Sequence, residues 1–246
     1  MKNRSLYLLP LLLFSWNCKK ENVCDCFKGT GDIVTEERQL DEFNSVFVED
    51  NVKVTFQEDT VQRISVNAGK HLVKLIHTVV NNGELHITND NTCNFVRSYE
   101  IPVEVFIHYK RNQFFRIRHK GTALVSNSNP CTNDSIDLDI NGSGNIDFTF
   151  SGNGKIFEHQ HGAGDITTHG TCNEMDIYNT GNGFSVNEDC VNGYSWVYSK
   201  TTGKVTIAAA NLIICEIDGS GNVYYKGTPN TIMNSENSTG KLLPLQ

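Results

Sequence analysis

The chain has 246 residues, 38% of them hydrophobic and 20% charged, with 28 acidic against 21 basic side chains and a formal charge of −7. That length suffices for one elongated β domain or two small globular ones. The acidic balance, with basic residues only in short runs at Lys19-Lys20 and around Lys110-Arg111, Arg116 and Arg118, excludes the basic stripe of a nucleic-acid binder.

Lys2 and Arg4 lead into a short apolar run, Leu6 to Phe14, interrupted by Pro10. A bilayer span takes about 20 apolar residues, so residues 1–17 are expected to be a secretory signal and not a permanent helix. Cys18 follows directly, ahead of Lys19-Lys20-Glu21-Asn22. This arrangement resembles a bacterial lipoprotein signal of the looser Bacteroidetes type, in which the cysteine becomes the lipidated first residue. Ser15-Trp16-Asn17 departs from the usual box, which has a branched aliphatic residue three before the cysteine. The resemblance implies attachment to a membrane through lipid on Cys18, with residues 18–42 as anchor and linker. An ordinary cleaved signal is the alternative. Export makes disulfides permissible for the eight cysteines, Cys18, Cys24, Cys26, Cys93, Cys131, Cys172, Cys190 and Cys215. Seven remain if Cys18 carries lipid, so at least one is unpaired. Cys24 and Cys26 form a C-x-C with no second pair at zinc-ribbon spacing, so no metal is expected there.

From Phe43 the chain alternates apolar and polar residues, which is the strand signal. Val46 and Val48, then Val52, Val54 and Phe56, then Ile64 and Val66 fall on one side of successive strands. Leu85 and Ile87, then Ile101, Val103, Val105 and Ile107, then Phe115 and Ile117 continue the pattern. Leu72, Leu75, Ile76 and Val79 fit helical spacing equally well and predict one short helical turn leading into a strand, broken at Asn82-Gly83. This first half, 43–118, is less regular than the stretch that follows.

From residue 119 a Gly-small-Gly-polar-apolar word recurs: Gly142-Ser143-Gly144-Asn145-Ile146, Gly162-Ala163-Gly164-Asp165-Ile166 and Gly219-Ser220-Gly221-Asn222-Val223. Weaker copies hold Gly121, Gly183 with Phe184, Gly203 with Val205, and Gly240 with Leu242. Taking 123, 144, 164, 183, 203, 221 and 240 as equivalent, the steps are 21, 20, 19, 20, 18 and 19 residues. A period near 20 with glycine punctuation predicts an all-β solenoid over 119–242, whose parallel coils stack because one coil cannot bury its own apolar face. The glycines are expected at corners for two reasons, positive φ and close approach of adjacent backbones. Ile146, Ile166, Phe184, Val205 and Val223 are expected to stack in an internal column. Ile136, Leu138 and Ile140 should face inward, with Asp137, Asp139 and Asn141 outside. Cys172 and Cys190 lie 18 residues apart, close to one coil, and could meet at neighbouring corners to form a disulfide. Cys215, in phase with Ile213 and Ile217, is expected as a buried free thiol.

The order of these features resembles the putative auto-transporter adhesin, head GIN domain family. The words that carry the resemblance are Phe43-x-x-Val46-x-Val48, Val52-x-Val54, Leu75-x-x-x-Val79, Asn82-Gly83-Glu84-Leu85-x-Ile87, Val103-x-Val105 and the Gly-Ser-Gly-Asn-Ile copies, together covering 43–242. The insert near Cys93 departs from the family's pattern. The resemblance implies a right-handed parallel β-helix-like fold and a place in the outer membrane or on the cell surface, the periplasmic face remaining an alternative. It implies no reaction and no catalytic residues.

Candidate chemistry is sparse. Asp137-Leu138-Asp139-Ile140-Asn141-Gly142 copies the first half of an EF-hand, but the closing glutamate position is Phe148 and strand alternation accounts for the acids. Gly142-Ser143-Gly144 lacks the third glycine and the helix of a dinucleotide fingerprint. His159 and His161 point the same way from one strand, with His169 nearby in sequence; a polar ladder is the better reading. Asp59-Thr60-Val61 and Asp134-Ser135-Ile136 fit the Asp-Ser/Thr-aliphatic pattern of Bacteroidetes O-glycosylation, marking Thr60 and Ser135. Tyr194, Trp196, Tyr198, Tyr224 and Tyr225 could form an aromatic patch for sugar rings or could pack between coils. The expectation is a lipid-anchored, non-enzymatic binding or structural module without cofactor or metal, adhesive to glycan or protein. The rivals are a polysaccharide-acting β-helix enzyme using Asp137 and Asp139, which have no basic cluster beside them in sequence, and an envelope sensor or scaffold working through a protein partner.

Overall fold

Apolar residues at every second position make strands that can bury one face, and 19 strands form among the described residues. The computed structural model describes residues 29–91 and 103–245. The first strands are β1 (Ile33–Arg38), β2 (Ser45–Val48), β3 (Lys53–Glu58), β4 (Arg63–Gly69), β5 (Ile76–Asn81), β6 (Glu84–Asn89), β7 (Glu104–Tyr109), β8 (Arg116–His119) and β9 (Val125–Asn127). The repetitive half holds β10 (Ser135–Ile140), β11 (Ile146–Phe150), β12 (Lys155–Gln160), β13 (Ile166–Thr171), β14 (Glu174–Asn179), β15 (Ser185–Ser199), β16 (Val205–Ile217), β17 (Val223–Lys226), β18 (Thr231–Glu236) and β19 (Leu242–Pro244).

The pairings arrange these strands in two facing stacks. Sheet A runs β5, β6, β2, β8, β10, β12, β14, the second half of β15, the second half of β16, and β18. Sheet B runs β1, β4, β7, β3, β9, β11, β13, the first half of β15, the first half of β16, then β17 and β19. The result is a parallel β-solenoid of about six turns with coils of about 20 residues. Its core is the space between the stacks, filled in the first half by Val46, Val54, Phe56, Leu85 and Ile107.

Among the described residues antiparallel pairing is confined to the first end, where β5 closes the edge of sheet A and β4 with β1 closes sheet B. A single 3₁₀ turn, Val73–Leu75, enters β5, and Leu72 and Val73 are buried over the end of the core. This is the short helical turn expected from spacing, and Asn82 (φ 50°) with Gly83 (φ 80°) makes the expected break. Strand β1 lies within the stretch read from sequence as linker.

Three expectations need correction. None of the corner glycines has positive φ; the positive-φ glycines are Gly31, Gly83, Gly152, Gly170 and Gly227. The corner glycines are required by close approach alone. A methyl group on Gly164 would overlap the carbonyl oxygen of Gly144, and the same holds for Gly144 on Ala123, Gly183 on Gly164, Gly203 on Gly183, Gly221 on Gly203 and Gly240 on Gly221. Gly142, Gly162 and Gly219 sit as tightly on Gly121, Gly142 and Thr201. Second, Phe184 does not join the internal column: Ser185 occupies the rung between Ile166 and Val205, and Phe184 is 45% exposed. The spacing of the word is unchanged in that copy: Phe184 stands one residue after Gly183, at the outward position held by Asn145, Asp165 and Lys204 elsewhere, and Ser185 stands at the inward one. Third, Phe114 and not Phe115 faces the core, because β8 begins only at Arg116 and the loop before it reverses the alternation.

Polar groups occupy much of the interior of the second half. His119 Nε2 lies 2.8 Å from the carbonyl of Ala123, Gln160 donates to that of Gly164 (2.7 Å), and Asn179 to that of Gly183 (3.3 Å). Each ends a sheet A strand and satisfies a corner carbonyl four residues on, which a buried corner requires. Asn187 on sheet B crosses the core to donate to Glu158 on sheet A (3.1 Å).

Candidate functional site

The outer face of sheet A carries the densest exposed chemistry. Parallel in-register stacking places residues one coil apart directly beside each other, so one outward column reads Asp137, Phe157, Asp176, Trp196, Ile214 and Met233. The next reads Asp139, His159, Tyr178, Tyr198, Glu216 and Ser235. Between the two columns runs an open groove of about 450 Å³, lined by Phe157, His159, Asp176, Tyr178, Trp196, Tyr198, Ile214 and Glu216. Tyr178 and Trp196 are 44% and 46% exposed.

The groove's side chains hold one another in place. The Tyr178 and Tyr198 rings stack at 5.0 Å with planes 15° apart, and His161 packs on Tyr178 at 5.7 Å. The Tyr198 hydroxyl donates to Asp218 (2.9 Å), which also accepts from Asn237 (2.8 Å). These two bonds, that of Asn237 first, hold the Asp218 carboxyl below its ordinary range, and the bond to Asp218 raises the Tyr198 phenol. Lys155 pairs with Glu174 (2.7 Å) and Asp176 (2.9 Å) and lies 4.5 Å from the centre of the Phe157 ring. Two adjacent aromatic faces with carboxylates at the rim suit an uncharged ring that is apolar on its face and hydroxylated at its edge.

The residues singled out from sequence divide. Tyr194, Trp196 and Tyr198 belong to this face, but Tyr224 and Tyr225 lie on β17 in sheet B, so the five form no single patch. Tyr225 packs against the core and the Tyr224 hydroxyl accepts from Asn222 (3.1 Å). Tyr178, Phe157 and His159 were missed as members, although the period of 20 already aligns Tyr178 with Tyr198. His159 lies on β12 but His161 falls one residue past its end, so the two do not share a strand as expected, although their ring centroids are 6.3 Å apart; His169 lies on sheet B within 3.3 Å of Asp147. Asp137 and Asp139 do have basic neighbours, contrary to the reading from sequence, because β8 stacks on β10 with Arg116 beside Asp137 and Arg118 beside Asp139. Arg116 pairs with Asp137 (2.7 Å), while Arg118 turns to Glu84 and lies over the Phe47 ring. Burial raises the Asp139 carboxyl above its ordinary range.

Thr60 is exposed after β3, its backbone and hydroxyl both donating to Asp59, and Ser135 is exposed at the start of β10. Cys172 and Cys190 do meet at neighbouring corners, but as thiols: their Sγ atoms are 4.0 Å apart, where a disulfide needs about 2.05 Å, so the expected bond is not closed. Cys215 is a buried free thiol. Cys18, Cys24, Cys26, Cys93 and Ile101 lie outside the described residues.

Solved structures share this architecture. A protein described as a putative adhesin from Bacteroides fragilis NCTC 9343 matches with a TM-score of 0.78 at 20% identity, over 89% of this chain and 100% of that one. A second, described likewise, from Parabacteroides merdae ATCC 43184, has a TM-score of 0.62 at 15% identity over 89% and 98%. A third, described as a putative lipid binding protein from Parabacteroides distasonis ATCC 8503, has 0.62 at 19% over 88% and 98%. At such identities the likeness shows the fold. No curated protein matches the chain. The family described as "Putative auto-transporter adhesin, head GIN domain" matches residues 42–229, most of the chain, and the chain belongs to that family.

Proposed function

We propose that the protein is a lipid-anchored module of the outer envelope that binds glycan through the groove of sheet A and carries out no reaction. The observation behind this reading is the cluster of exposed Tyr178 and Trp196 with half-buried Tyr198 on two adjacent coils, with Asp176 and Glu216 at hydroxyl-accepting positions beside them. A sugar presents C–H bonds to an aromatic face and hydroxyls to carboxylates, and the acidic rim favours neutral over acidic polysaccharide. A repeating ligand along a repeating surface gains by multivalency what each contact lacks. Membership of an adhesin-described family supports display, and Cys18 supplies the anchor.

The test is a panel of neutral and acidic glycans probed with the mature chain. Binding to neutral glycans should weaken about tenfold or more in Trp196→Ala and Tyr178→Ala, as expected for aromatic anchors, and stay unchanged in Tyr224→Ala on the other sheet. No binding, or binding indifferent to Trp196→Ala, would sink the reading. Release of shortened glycan, abolished by Asp139→Asn, would replace it with the enzymatic one. In cells, Cys18→Ser should move the protein out of the membrane fraction, and protease added to whole cells should remove the wild type.

A further inference from the structure

The corner opposite the glycine turns holds a second piece of chemistry that ligand binding does not use. Cys172 directly follows β13 and lies two residues before β14, and Cys190 lies in β15 four residues before Tyr194, so the two thiols sit at the bases of the adjacent strands that present Asp176, Tyr178, Trp196 and Tyr198. The backbone here is already clamped. The Cys172 amide donates to the Val191 carbonyl (3.1 Å) and the Gly193 amide to the Asn173 carbonyl (3.0 Å). The sulfurs are in contact at 4.0 Å, Cys172 is 7% exposed and Cys190 fully buried. The strand register sets Cys190 beside Gly170, two residues before Cys172, so the thiols meet diagonally across neighbouring coils, and closing the bond brings the sulfurs about 2 Å nearer.

We propose that Cys172 and Cys190 form a disulfide that staples the two coils bearing the aromatic groove. The partner in the reaction is a disulfide of the oxidising compartment, either a small-molecule disulfide such as oxidised glutathione or a protein one. One cysteine thiolate attacks a sulfur of that disulfide and releases one thiol, giving a mixed disulfide. The second thiolate then attacks the protein sulfur and releases the other thiol, so that two protein S–H bonds and one S–S bond become one protein S–S bond and two S–H bonds. The pairing is selective among the described cysteines. Cys131 pairs with Phe150, Phe150 with Gly170 and Gly170 with Cys190, which puts it three rungs or about 14 Å away. Cys215 lies on sheet A in register with Val197. Since both sulfurs are enclosed once the coil is packed, the bond forms during folding, while the corner is still open.

The experiment refolds the reduced mature chain with and without oxidised glutathione, then digests it without reductant for mass spectrometry. A peptide joining Cys172 to Cys190 is expected, retained in Cys131→Ser and Cys215→Ser. The oxidised wild type should melt roughly 5–10 °C above its dithiothreitol-reduced form, the effect of closing a loop of this length, and the Cys172→Ser/Cys190→Ser double variant should show no such difference. Recovery of both cysteines as free thiols, as glutathione adducts only, or linked to other cysteines overturns the proposal. So does a linked peptide whose reduction leaves melting unchanged, because the bond then staples nothing. Neither readout depends on glycan binding.

Discussion

Glu158 brings an ionisable carboxyl into the core of the solenoid. It is fully buried on sheet A, and hydrogen bonds from Asn187 and Ser185 do not offset the loss of water, so burial pushes its carboxyl up to about 8. The unfolded chain releases this proton near 4.5, the ordinary value. Between 4.5 and about 8 only the unfolded state loses the proton, so the folded state loses ground as pH rises, and the loss is complete above about 8. Glu158→Gln keeps the shape and accepts the Asn187 bond without a charge to suppress. It should match wild type near pH 4.5 and exceed it by on the order of a few kcal/mol at pH 8.5. Thermal melts at the two pH values check this; an equal difference at both would rule the account out. Asp139, also raised by burial, is common to both proteins and cancels.

Among the elements, the glycine corners set how closely the coils stack. Gly164→Ala would drive a methyl group into the Gly144 carbonyl oxygen, which is backbone and cannot swing aside. The coils must part there, at a cost of roughly 1–3 kcal/mol, typical of overpacking. Ser143→Ala, exposed in the preceding corner, should change stability by less than about 0.5 kcal/mol. Chemical denaturation of both variants separates close approach from a general intolerance of the turn. The same corners explain why polar residues end the strands: Gln160 and Asn179 face inward to reach Gly164 and Gly183, not to pack. Alternation marks such residues as inward but does not say that a carbonyl waits for them there.

The whole molecule is a one-dimensional stack, in which each coil is stabilised by its neighbours and the ends need a device of their own. At the first end that device is the buried 3₁₀ turn with its antiparallel strands. At the other, Glu236 takes the rung that Ile217 holds one coil earlier. Its carboxylate accepts from Asn234 (3.0 Å), the Leu242 amide (3.0 Å) and Lys241 (2.7 Å), tying β18 of sheet A to the start of β19 in sheet B. These bonds, that of Lys241 first, hold the carboxyl down at about 2. Its contribution is therefore present above about 4.5 and lost as pH falls toward 2. In Glu236→Ala, amide hydrogen exchange should speed up across residues 231–244 while the coils before Val205 stay protected. Uniform loss of protection along the stack would show that the cap serves the whole fold and not its end.

Sequence alone determined the class, the coil length and most of the inward residues. A strand alternates with period two and a stack repeats with the length of its coil, and both are local or periodic properties that survive in one dimension. It also carried the phase that puts Trp196 and Tyr198 outside and Cys215 inside, and the 18-residue spacing that brings Cys172 to Cys190. Only the tertiary structure decided that Phe114 and not Phe115 points inward, that Tyr224 lies on the far sheet from Trp196, that Arg116 neutralises Asp137, and that Asn187 meets Glu158 across the core. Those outcomes depend on where a strand starts within its coil, on which of two sheets it joins, and on contacts between facing walls. A shift of one residue in a corner reverses every side chain after it, and no periodicity along the chain records which wall stands opposite.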